Sequence, residues 1–152
     1  MKFAKLDRVD NLQEFIKDNF EVELPVSGGW GESKEEAVEI KDAKMPIKQI
    51  EHIFATIKAN IQMHLLLPKE DRFGGINLKE IAREKDDIYD IVEYEIEAIK
   101  EDIYAELIDE YKEGYGKDDF DMEAHFKKRE NATFRRRDKI YFKIINQFYN
   151  IK

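Results

Sequence analysis

Residues 86–114, DDIYDIVEYEIEAIKEDIYAELIDEYKEG, carry two hydrophobic periods at once, and the choice between them decides how much of the chain is sheet. Ile88, Val92, Ile96, Ile99, Ile103 and Leu107 recur every three or four residues, as one long helix requires. Within the same stretch Val92, Tyr94, Ile96 and Ala98 alternate with Glu93, Glu95 and Glu97, which is the pattern of a strand with one acidic face. β-Branched and aromatic residues crowd the first half, where a pleated surface holds them better than a helix does. The spacing therefore predicts a strand over 88–98. Beyond Lys100 the helical period stands alone, predicting a helix over 100–113 with Gly114 as its C-terminal cap.

The remaining elements arrange themselves around that strand. Asp10 is placed as an N-cap for a helix over 10–19, with Leu12, Phe15, Ile16 and Phe20 on one face. Phe20, Val22, Leu24 and Val26 alternate and predict a strand over 20–26, with Pro25 near its end. Val38 and Ile40 suggest a second strand pairing with it as a hairpin. Pro46 opens the clearest element, an amphipathic helix over 46–67 on which Ile47, Ile50, Phe54, Ile57, Ile61 and Leu65 share a side. The stretch PKEDRFGGIN, 68–77, reads as a loop. FDMEAHFKKREN reads as a short helix with Asn131 as its stop, and Ile140, Phe142 and Ile144 mark a late strand. The expected fold is α+β: a single domain over 1–152, with an antiparallel sheet of about four strands packed against the 46–67 and 100–113 helices.

Composition limits the chemistry. With no cysteine, the 152-residue chain has no disulfide, no thiolate nucleophile and no cysteine-held metal. That composition suits a reducing compartment, and the N-terminal residues lack an apolar leader, so the expected location is the cytoplasm, with no membrane span. Charge is unevenly spread. Residues 127–152 hold nine Lys or Arg against two acids, whereas 1–126 hold 17 bases against 32 acids. An acidic body repels phosphate over most of its surface, which disfavours nucleic acid and favours a basic protein partner.

Two short stretches stand out. Ser27-Gly28-Gly29-Trp30-Gly31-Glu32 sets the only tryptophan among three of the seven glycines. The glycines either free Trp30 to stack on a partner or ligand, or turn the chain so that the ring folds back over the core. The known burial of large aromatics slightly favours the second. The stretch is no phosphate loop, because the lysine and hydroxyl residue that complete one are missing from their places. The second stretch, KKRENATFRRRDK, inverts the sign of the chain. Arg135, Arg136 and Arg137 could grip phosphate or carboxylate, but on an antiparallel sheet they could equally balance the Glu93–Glu97 row across strands, and that internal pairing is the expectation.

Other constellations are empty of recognised chemistry. His52 and His64 lie on one helix about 18 Å apart and cannot share a metal. His125 stands apart from both. The acids at Asp118, Asp119, Asp121 and Glu123 lack the order of a calcium loop, and neither Ser27 nor Ser33 has a nucleophile's context. No cofactor or metal is expected, and catalysis is disfavoured. The expectation is a non-catalytic protein-interaction domain of inhibitor or immunity type, using Gly28, Gly29, Trp30, Gly31 and Arg135–Arg137. The alternative is a small-ligand-binding domain or enzyme with a pocket near Trp30 and the arginines. Exposed edge strands leave room for a homodimer.

Overall fold

The computed structural model describes residues 3–145. Helix α1, Leu12–Phe20, starts at Asn11, whose side-chain oxygen accepts the Glu14 N–H at 3.1 Å. The cap is thus one residue later than Asp10, at the position from which a short polar side chain reaches the free N–H groups of the first turn. Leu12 and Ile16 point into the core, and Glu21 ends the helix in the left-handed region at φ 57°.

The alternation over 20–26 is real as burial and largely absent as pairing. Leu24 and Val26 are buried, yet strand β1 covers only Val26–Gly28. The left-handed turn at Glu21 and the missing N–H of Pro25 keep the earlier residues out of the ladder. Strand β2, Val38–Lys41, pairs antiparallel with β1, Val26 opposite Ile40. Helix α2, Ile47–Asn60, follows Pro46 and runs directly into a π-helical turn over Ile61–Leu65, so the helical path stops short of Pro68 as its pattern predicts. Ile50, Phe54 and Ile57 are buried beneath it.

The largest departure comes next. Strand β3, Phe73–Asp86, occupies what reads as a loop at 68–77 and the residues after it, and it pairs antiparallel with β4, Tyr89–Lys100. β3 is an outer strand with few buried side chains, and its register shifts between Gly74 and Asn77 and again between Glu80 and Ala82. Each shift breaks the period of two, so the sequence shows no clean alternation to find. Helix α3, Glu101–Gly114, and helix α4, Met122–Ala132, follow; α4 runs one residue past Asn131. Strand β5, Phe134–Ile145, completes the fold.

The sheet has five strands in the order β1-β2-β5-β4-β3. It is mixed and not wholly antiparallel, because β5 lies antiparallel to β4 and parallel to β2. Parallel neighbours need a long connection, and here the whole of α2, β3, β4, α3 and α4 lies between β2 and β5. One face of the sheet carries Val38, Ile40, Val92, Ile96, Ile140 and Phe142 into a core shared with α1, α2 and side chains of residues 3–9. The opposite face carries Glu93, Glu95, Arg135, Arg137 and Lys139. α3 touches the sheet only at its end, where Tyr104 lies against Gly74 and Gly75, and it buries just Leu107 and Gly114. Sequence spacing places this helix on the sheet; the structure stands it mostly in solvent. Among the described residues no helix is long and apolar enough to cross a membrane.

Candidate functional site

The tryptophan loop folds back. Trp30 is 3% exposed, its Nε1–H donates to the Asp7 carbonyl at 2.9 Å, and its ring meets Phe15 and Phe54 at centroid distances of 5.8 and 5.6 Å. Gly31 makes this possible. Its φ of 86° is a left-handed value, and a Cβ there would run into the Ile140 side chain on β5. The loop can therefore lie flat on the sheet while the indole drops into the core. Gly28, also at positive φ, sits against the Ala37 carbonyl, and Gly29 against that of Glu36. The residue after the glycines holds the loop in place: Glu32 lies 2.8 Å from Lys58 Nζ, and Asp138 of β5 lies 3.3 Å from the same nitrogen. Lys58 is fully buried on α2, so these two carboxylates are what make its charge tolerable there.

The three arginines part company. On β5 Arg135 stands opposite Glu97 and Arg137 opposite Glu95, with Lys139 opposite Glu93. The Arg135 Nε–H donates to Glu97 Oε1 at 3.1 Å, and an Nη2–H donates to Glu130 Oε1 of α4 at 2.6 Å. These two carboxylates hold the guanidinium pKa above its ordinary value. The cross-strand balance inferred from charge is thus present in the register. Arg136 points to the other face, donates to Gln62 Oε1 at 3.1 Å and lies 4.5 Å over the Phe3 ring. Trp30 and the arginines therefore meet separate partners, and the main surface depressions are lined by other residues.

A polar cluster beneath α2 has no counterpart in the sequence patterns. Glu51 is fully buried against β3 and β4, with Oε1 2.9 Å from Arg83 Nη2. Arg83 also meets Glu80 at 2.6 Å and Asp90 at 3.5 Å. One guanidinium thus serves three carboxylates. Burial, reinforced by the neighbouring Asp90 carboxylate, pushes the Glu51 pKa up to about 8. Burial and then the charge of Glu51 raise that of Tyr94, whose Oη has no hydrogen-bond partner among the described residues. In the sequence Glu51 stands four residues after Ile47 and three before Phe54, at the margin of the apolar stripe, where one acid among 34 Asp and Glu draws no notice.

The most exposed surface chemistry lies on the α3–α4 hairpin, which is inserted between strands that pair directly, Ala98 opposite Phe134. A small core of its own holds it together. The rings of Tyr111 and Phe120 close on His125 at 5.6 and 5.7 Å, and the imidazole Nδ1 sits 3.2 Å from Glu110. Gly114 leaves the space that the Phe120 ring fills. Lys128 donates to the other Glu110 oxygen at 2.8 Å, and with His125 it holds that carboxyl below its usual range. Apart from Glu110, residues 101–121 carry eight acids and two lysines. Glu106, Asp109, Glu113, Lys117 and Phe120 line a shallow depression. Tyr115 is 67% exposed and Phe126 54%.

The chain matches no protein-family model, no curated protein and no solved structure.

Proposed function

We propose that this protein is a non-catalytic interaction domain of the inhibitor or immunity type, and that it captures a basic protein partner through the α3–α4 hairpin. The observation that carries the reading is the hairpin itself: an insertion between two directly paired strands, acidic along α3 and bearing exposed aromatic rings. Electrostatic steering speeds encounter between opposite charges, and an aromatic side chain supplies the anchor that charge alone lacks. Tyr115 and Phe126 take the anchoring role that Trp30, committed to the core, does not fill.

Affinity capture with the full chain as bait tests this. The wild type is expected to retain a basic protein at low salt and release it as salt rises. A Glu106→Lys, Asp109→Lys, Glu113→Lys, Tyr115→Ala variant, melting within a few degrees of wild type, is expected to bind the same protein at least about tenfold more weakly. Equal retention by the two would overturn the assignment of the hairpin.

A further inference from the structure

β3 is the last strand of the sheet, and no described strand pairs with its outer edge. Such an edge offers a row of free backbone N–H and C=O groups, and strands of this length normally carry a device against chance pairing. The bulge at Ile81 and the charges around it are such a device. Their arrangement goes further than blunting the edge.

Residues 77–86 read Asn-Leu-Lys-Glu-Ile-Ala-Arg-Glu-Lys-Asp. Laid antiparallel against a second copy with its centre between Ile81 and Ala82, the segment places Lys79 opposite Glu84 and Glu80 opposite Arg83, each contact occurring twice. Every charge in the central six residues then meets its opposite. Directly opposed residues of an antiparallel pair must share a face of the sheet. In an uninterrupted strand this register fails, because residues an odd number apart point to opposite faces.

The bulge corrects the phase. Glu80 pairs with Tyr94 and Ala82 with Glu93, so β3 takes two steps where β4 takes one. Leu78, Glu80, Arg83 and Lys85 consequently stand beside Ile96, Tyr94, Val92 and Asp90, on the helix-covered face. Lys79, Ala82 and Glu84 stand beside Glu95, Glu93 and Ile91, on the open face. Lys79 and Glu84 now share one face, and Glu80 and Arg83 share the other. Charge order and bulge phase are separate features, and both select the same register.

We infer that β3 is a homodimerisation edge, pairing antiparallel with β3 of a second copy about a two-fold axis between Ile81 and Ala82, to give a continuous ten-stranded sheet. α3 contacts β3 at Gly74 and Gly75, and along 77–86 every residue but buried Leu78 and half-buried Arg83 is exposed.

Sedimentation equilibrium of the full chain, at concentrations up to about 100 μM, reads the state directly. A species near twice the 18.1 kDa chain mass is expected. Lys79→Glu and Glu84→Lys should each raise the dimer dissociation constant at least about tenfold, since each sets like charges opposite one another twice. The double variant Lys79→Glu/Glu84→Lys restores both pairs and should recover the dimer. Circular dichroism melts of all three establish that they are folded. A wild type that stays monomeric overturns the inference; so do single variants that dimerise as well as wild type, or a double variant that fails to recover.

Discussion

Glu51 brings one carboxyl group under α2 with a folded-state pKa of about 8 against an ordinary value of 4.5. The native state therefore holds this proton more tightly than the unfolded chain does. Its contribution to stability is complete below pH 4.5 and is lost as pH rises through about 8. At most about 5 kcal/mol is involved, since one pKa unit corresponds to about 1.4 kcal/mol. The groups facing it are Asp90 and Tyr94 from β4, with Arg83 and Glu80 from β3. Glu80 and Glu110 have lowered pKa values, so their contributions disappear only in more acidic solution, on the other side of the window in which Glu51 acts. Melting temperature should fall across that window in the wild type. Glu51→Gln, which stays neutral, should flatten the fall and melt several degrees above wild type at pH 9. Parallel melting curves for the two proteins from pH 5 to 9 would show that Glu51 is not the group responsible. Its spacing from Ile47 and Phe54 sets it beside the apolar stripe, but an acid at that margin reads as solvent-facing until the helix is docked.

At the scale of elements, the pairing of β4 with β5 is a charge ladder with a hydrophobic reverse side. Arg135→Glu with Arg137→Glu puts like charges opposite Glu97 and Glu95 on the open face. The arginines stand on an exposed face, where single ion pairs are weak, but reversal converts attraction into repulsion at two neighbouring positions. The double variant should melt several degrees lower, and adding Glu95→Arg with Glu97→Arg should recover most of the loss. A double variant that melts with wild type would mean that the ladder contributes nothing to stability. β4 and β5 are legible from sequence for the same reason that the ladder exists: one face apolar and one charged writes a period of two into the residues. β3 obeys the same rule and hides it, since the shifts at Gly74–Asn77 and Glu80–Ala82 put its alternation out of phase with itself. The glycine pair that suggests a loop is where Tyr104 of α3 rests on the strand. The parallel contact of β2 with β5 leaves no local trace, because strand direction is decided by a connection about 90 residues long.

For the molecule as a whole, the sheet with α1 and α2 forms one body, and the α3–α4 hairpin is an addition to it. Trp30, the Glu32–Lys58–Asp138 ion cluster and the Glu51 cluster all lie within that body, and none contacts α3 or α4. The hairpin is fastened chiefly by Tyr104 on the β3 glycines, by buried Leu107 and by the Arg135–Glu130 ion pair. Replacing residues 101–132 with a short glycine-containing turn should therefore leave a folded sheet, because Ala98 and Phe134 already face one another at the end of the ladder and a tight connection suits antiparallel neighbours. The cost should be about 1–3 kcal/mol, the size of one lost apolar anchor with its exposed contacts. Far-ultraviolet circular dichroism should lose helix and keep strand, and Trp30 emission should remain blue-shifted and shielded from iodide. Collapse of the near-ultraviolet signal, or a quenchable tryptophan, would show instead that the hairpin is part of the core. If the shortened chain folds, it also divides the two surface assignments: it should lose the basic partner and keep β3 pairing, since the acidic helix is gone and residues 77–86 are untouched.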